Sequence, residues 1–193
     1  MTPGPAGPRA PRADAQRSVD AILIAAREVL AENPSAGLDV VAARAGVHRA
    51  TLYRHFATRE ALVARLYEAY LDDAEASILE ADVEADDLLA EIERLTRRVY
   101  AVNLDWRAFA WAPAYTRETR PRREEMAVTT FRLFEAARDR GVLRADLDVR
   151  QLLMAWGAPI LFLAARITEG AWTLDDVIEH TLLMITPPRR AAG

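Results

Sequence analysis

The amino-acid sequence predicts an all-α protein of about nine helices, and three observations carry that expectation. Long segments repeat their apolar residues at spacings of three and four. No segment keeps the apolar-polar alternation of a half-buried strand. The punctuation is helical as well, with Ser, Thr or Asp before the runs and Gly or Pro after them.

In chain order, residues 1–15 are rich in Pro, Gly and Ala and are expected to form a disordered arm. Arg9 and Arg12 in this arm, with Arg17 just after it, suit either a minor-groove contact or a solvated tail; the tail is preferred. Ser18 is placed as the cap of a first helix carrying Val19, Ile22, Ala26, Val29 and Leu30, closed by Asn33-Pro34. Residues 38–56, LDVVAARAGVHRATLYRHF, read as two short helices around a turn at Gly46. Thr58 caps the next helix, which buries Leu62, Val63, Leu66 and Tyr70 and runs to about Ile78.

An acidic break at 82–87 precedes a strongly amphipathic helix with Leu88, Ile92, Leu95, Val99 and Val102. The aromatic segment Trp106, Phe109, Trp111, Pro113, Tyr115 follows. Pro121 suits the first turn of a helix that turns Met126, Thr130, Phe131 and Phe134 inward and stops at Gly141. Asp148 with Gln151 resembles a capping box opening an apolar helix over 149–168, with a kink or break expected at Gly157 and Pro159. Thr173 with Asp176 opens the last helix, and Pro187-Pro188 ends it. The division expected is an arm at 1–15, a first domain at 16–65, a second at 66–187 and a tail at 188–193.

Composition narrows the function. There is no cysteine, which excludes disulfides, thiolate metal sites and cysteine nucleophiles. The three histidines, His48, His55 and His180, form no ligand pattern, so neither a metal nor a cofactor is expected. The net charge of −4 is unevenly spread: residues 9–65 hold nine Arg against six acids, and the rest of the chain is acidic. Every basic residue is Arg, so phosphate contacts fall to guanidinium forks, neutral donors or helix termini. The N-terminus lacks the pattern of a signal peptide, and the apolar run 152–165 is shorter than the ~20 residues that cross a bilayer. A soluble, cytoplasmic protein with no membrane partner is expected.

The stretch 38–56 carries the chemistry. A helix-turn-helix places its second helix in the major groove of double-stranded DNA. Leu52 and Phe56 are expected in its core, and Arg49 and Thr51 on its outer side. There Arg can read guanine O6 and N7, and Thr can meet a thymine methyl or a phosphate. His48 is a further phosphate or base contact, and Arg54 is either a backbone contact or solvated.

AARAGVHRATLYRHFATREALV, residues 42–63, resembles the DNA-binding segment of TetR-family transcriptional regulators: an Ala-Gly-Val turn, a recognition helix with Thr-Leu-Tyr, an aromatic pair spaced by His, and a basic residue opening the next helix. The resemblance implies phosphate contacts from Tyr53, His55 and Arg59, a palindromic DNA operator, a homodimer, and release by a small hydrophobic or aromatic effector. Two departures stand out. Gly37 lacks the hydroxyl that many relatives carry at the cap, and Arg59 replaces their usual Lys. The resemblance further implies an effector pocket around Tyr100, Asn103, Trp106, Arg107, Trp111, Met126, Thr130, Phe131 and Phe134, where a filled core is the alternative. It also implies a dimer interface on the last two helices, from Leu152, Trp156, Ile160, Leu163, Val177, Ile178 and Leu182. The helix at 149–168 is apolar on more than one face, which suits burial against several partners.

The competing readings are a DNA-binding regulator without a small effector, and a helical enzyme that keeps the helix-turn-helix as scaffold. The sequence offers the enzyme no phosphate-cradling Gly loop, and acid pairs such as Asp72-Asp73, Asp86-Asp87 and Asp175-Asp176 diverge on a helix. A non-enzymatic protein is therefore expected.

Overall fold

The computed structural model describes residues 11–107 and 120–188. Among them lie eight helices and no strand, close to the nine helices expected. The chain divides into two units, Met1–Glu68 and Ala69–Gly193.

The first unit holds α1 (Pro11–Glu32), α2 (Leu38–Arg44), α3 (Arg49–His55) and the opening turns of α4 (Arg59–Leu79). Helix α1 includes Pro11 and the residues after it, so residues 11–15, expected in the arm, are helical. Ser18 is consequently internal, and its hydroxyl donates to the Asp14 carbonyl instead of capping. Ile22, Ala26, Val29 and Leu30 of α1 form one buried face, as their spacing requires. Helices α2 and α3 pack against α1, and Leu38, Val41, Ala42 and Leu52 are buried there, as are Phe56, Leu62 and Leu66 of the same unit. On the surface, Arg44 of α2 pairs with Glu32 at 2.9 Å and Glu28 at 3.4 Å, tying α2 to α1.

The second unit holds the remainder of α4 with α5 (Leu88–Asp105), α6 (Arg120–Asp139), α7 (Val149–Thr168) and α8 (Leu174–Ile185). Its core joins Leu88, Ile92, Leu95 and Tyr100 to Leu133 and Phe134, and to Leu152, Trp156, Ile160, Val177 and Ile178. Two buried hydrogen bonds satisfy the polar groups that these aromatics bring inside: Trp156 Nε1 donates to Thr96 Oγ1 at 2.9 Å, and the Tyr100 and Thr181 hydroxyls meet at 2.8 Å. Burial pushes the Tyr100 phenol up, with the Thr181 contact opposing it.

Glu91 is buried beside the end of α4. Burial alone would raise its carboxyl, yet hydrogen bonds from Arg94, Arg98 and the Asp82 amide hold it below the usual glutamate range. Arg98 also donates to the Ser77 carbonyl at 3.0 Å, so this cluster fastens α4 to α5.

The caps expected in the second unit at Asp148, Thr173 and Gly141 are present. Asp148 and Gln151 exchange two bonds of 2.9 Å, and Thr173 and Asp176 form a complete capping box. At Gly141, with φ of 72°, the Val142 amide reaches back to the Ala137 carbonyl, closing α6 in a Schellman motif.

Of the kink or break expected at Gly157 and Pro159, the break is absent: helix α7 is unbroken through both residues. The proline forfeits one backbone bond, but Trp156 and Ile160 on either side of it are buried and hold the helix in register. Leu152, Trp156, Ile160, Val177 and Ile178, expected at a dimer interface, are buried within the protomer. An all-round apolar helix gives periodicity no way to tell the inner face from an outer one. Helix α7 also has the length and mean hydropathy (1.4) of a membrane-crossing helix, while those three α7 residues are engaged in the core.

Candidate DNA interface

Gly46 sets the geometry of the turn between α2 and α3. Its φ of 65° is the left-handed conformation that residues with a Cβ rarely adopt. It lets the Val47 amide return to the Ala42 carbonyl at 3.1 Å and the Gly46 amide to the Ala43 carbonyl at 3.2 Å. These bonds satisfy the open end of α2 and release the chain directly into α3.

Helix α3 is anchored by Leu52, with no exposed surface, and by Phe56 just beyond its end. These are the two core residues expected from the sequence. The anchors turn His48, Arg49, Tyr53 and Arg54 outward as an exposed ridge; Tyr53 is 43% exposed. Thr51 is half-buried at its edge. Ala50 shares the exposed face, a small apolar contact of the type that meets a thymine methyl. It was missed because an alanine carries no chemical signal of its own.

Two expected phosphate ligands are placed differently. His55 is half-buried, and its Nε2 is enclosed without a hydrogen-bond partner among the described residues. Three residues after Leu52 and next to Phe56, it lies on the side of α3 that faces the core. Arg59 directs its guanidinium to backbone carbonyls of the α1–α2 loop: Nε donates to Ala36 at 3.3 Å, and a terminal nitrogen to Pro34. It therefore positions that loop against the start of α4. Thr58 caps α4 by accepting from the Ala61 amide at 3.2 Å. At the start of α2, Gly37 provides the extended cap conformation and no side-chain bond.

The second unit's candidates are mostly interior. Tyr100, Asn103, Trp106, Met126, Thr130 and Phe134 are buried, Phe131 is half-buried and Arg107 is exposed; Trp111 lies outside the described residues. Trp106 Nε1 donates to Asp73 at 2.7 Å, and Arg122 pairs with Asp72 and Glu75 of α4. Asn103 donates to the Val99 carbonyl at 2.8 Å, while its Oδ1 is buried with no partner among the described residues. Among the described residues no group of three His, Asp or Glu side chains is placed to hold a metal ion.

On the last two helices several exposed residues are apolar, interspersed with exposed Arg150, Gln151, Arg166, Glu179 and His180. Met154, Ala158 and Phe162 recur every fourth position of α7, and Leu183 and Met184 are exposed on α8. An open groove of about 560 Å³ lies here, lined by Ala155, Ala158, Pro159, Phe162, Leu163 and Met184, with His180 and Arg144 among its polar residues.

Comparison with known proteins agrees with this geometry. Residues 22–66 match the family described as bacterial regulatory proteins, tetR family. Over 80 residues the chain is 38% identical to the HTH-type transcriptional repressor LfrR of Mycolicibacterium smegmatis; the match spans 42% of either chain. Among solved structures, a TetR family transcription regulator from Marinobacter aquaeolei superposes with a TM-score of 0.69 at 17% identity, covering 92% of this chain and 100% of that one. LfrR from Mycobacterium smegmatis in complex with proflavine superposes with a TM-score of 0.66 at 21% identity, covering 88% and 94%. At these identities the superpositions establish a shared fold.

Proposed function

We propose that this chain is a regulator of the TetR type: a cytoplasmic, homodimeric repressor that holds a palindromic operator until a small hydrophobic or aromatic effector releases it. The observation that carries the reading is the α3 ridge. His48, Arg49, Tyr53 and Arg54 stand outward over Leu52 and Phe56, on a helix too short to be stable by itself. Arg49 reads a base edge; Tyr53 and Arg54 hold phosphates. Two copies related by a two-fold axis meet half-sites about one helical turn (~34–36 Å) apart.

The dimer contact follows from the outer stripe of α7 and α8. Phe162 and Met184 line one open groove, and Met154 and Leu183 expose further apolar surface on the same two helices, which a second copy of the chain covers most simply. Leu163 and Leu182, half-buried in the protomer, complete the contact. The effector reading rests on Asn103. Its buried Oδ1 has no partner among the described residues, a state that costs about 1–3 kcal/mol; a ligand carrying a donor relieves it, with Tyr100, Trp106, Met126 and Phe134 buried in the same unit. The proflavine complex of LfrR makes an aromatic effector the first to try.

Sedimentation of the purified protein with its operator, in the presence and absence of proflavine, tests this. The expected result is a dimer on each operator, dissociated by ligand. A monomer on DNA removes the dimer, and an operator affinity unmoved by a ligand that demonstrably binds removes induction.

A further inference from the structure

The α3 ridge contains an ion pair that DNA binding does not explain by itself. Arg49, the first residue of α3, meets Asp39 in the first turn of α2, with Nε and Oδ1 2.6 Å apart. Both side chains are at least half exposed, at 68% and 50%. An ion pair so open to solvent contributes little to stability. A carboxylate on a DNA-facing surface also repels phosphates. Asp39 suits the α2 dipole, but towards DNA it is unfavourable unless it acts on Arg49.

We propose that Asp39 is a positioning residue for base recognition: it holds the Arg49 guanidinium by Nε and presents the two terminal nitrogens to one guanine in each half-site. This rests on the assignment of Arg49 to a base edge. The geometry supports it in three ways. Guanine O6 and N7 require two coplanar donors, and a guanidinium anchored at Nε retains such a pair at its far end. The terminal nitrogens make no hydrogen bond to another described residue, unlike those of Arg44 and Arg59, which are engaged with Glu32 and with the loop carbonyls. The two helices that bring Asp39 and Arg49 together are fixed by the Gly46 turn and by buried Leu38, Val41 and Leu52, so the carboxylate acts from a rigid support. A fixed Arg also loses less freedom on binding, and the carboxylate penalises phosphate in the place meant for a base.

The test is selection of DNA from a random library by the full-length protein and by Asp39→Asn, Arg49→Ala and the double variant, each checked for an unchanged melting temperature. Arg49→Ala is expected to abolish a guanine preference at one position of each half-site. Asp39→Asn should weaken that same preference about three- to tenfold, the size of one ordered side chain, and leave the other positions alone. It should add nothing in the Arg49→Ala background, and Asp39→Glu should restore part of the preference. If Arg49→Ala shifts the profile and Asp39→Asn does not, or if Asp39→Asn only tightens binding to every sequence alike, the positioning role is wrong while the base contact stands. If Arg49→Ala leaves the profile unchanged, the base contact and the positioning role fall together.

Discussion

Helices α3 and α7 each bury one side in their own unit and leave the other side outside, and what they leave there is opposite in chemistry. On α3 the outward residues are His48, Arg49, Ala50, Tyr53 and Arg54; on α7 the middle of the outer row is Met154, Ala158 and Phe162, flanked by exposed Arg150 and Arg166. The buried sides are alike, Leu52 and Phe56 in one case and Leu152, Trp156 and Ile160 in the other. Burial against the chain's own core thus says little about function here. The residues left over on the far side of the same helix suit different partners: a polyanion for α3 and, in the proposed reading, a second copy of the chain for α7. Attraction to the polyanion weakens with salt through counterion release, whereas apolar association does not.

The largest expected effect is on the apolar side. Phe162→Glu places an unpaired charge in the proposed contact between copies, and a cost of about 3–5 kcal/mol is expected for burying it. Analytical ultracentrifugation should then find a monomer at concentrations where the unaltered chain is dimeric, with helix content retained because Phe162 is 64% exposed in the protomer. A dimer of unchanged affinity would mean that this stripe serves something else.

On the polar side, Arg49→Ala is expected to cost about 1–3 kcal/mol against the preferred operator, and Arg54→Ala to lower the slope of log affinity against log salt by about 1 per protomer. Dimerisation should respond to neither substitution. A salt slope that changes equally for Phe162→Glu and Arg54→Ala would erase the distinction between the two helices.

A control separates these outer effects from the interior. The Glu91 carboxyl is held below its ordinary value near 4.5 in the folded chain. A depressed carboxyl stabilises the fold above the unfolded value, and that contribution is lost as pH falls through the folded value. The acid limb of thermal unfolding should therefore be steeper in the unaltered protein than in Glu91→Gln, which loses roughly 1–3 kcal/mol at neutral pH. The smallest effect expected is that of Thr173→Ala, about 1 kcal/mol of stability from the lost capping box, with DNA binding unchanged.

The sequence was most informative where a local rule decides structure. The Gly46 turn, the Thr173-Asp176 box, the Asp148-Gln151 pair and the inward Leu52 and Phe56 all depend on residues within a few positions of one another. It failed where the partner is distant or the pattern has no polarity. Arg59 reaches carbonyls 23 and 25 positions away, so its employment in the α1–α2 loop left no local trace. His55 lies on the boundary between the two faces of a seven-residue helix, where one residue's rotation separates phosphate ligand from core. Apolar residues surround α7, so the choice between Trp156 inside and Phe162 outside was set by packing alone. Asp39 was passed over because an acid in a first turn has an ordinary explanation in the helix dipole.

The most direct measurement is selection of DNA by the purified full-length protein from genomic fragments, followed by alignment of the bound sequences. The account predicts one enriched motif, two-fold symmetric, with half-sites centred about one helical turn apart and lost to Arg49→Ala. Fragments without a shared motif, or a motif that Arg49→Ala leaves intact, would contradict the assignment of the α3 ridge to operator recognition.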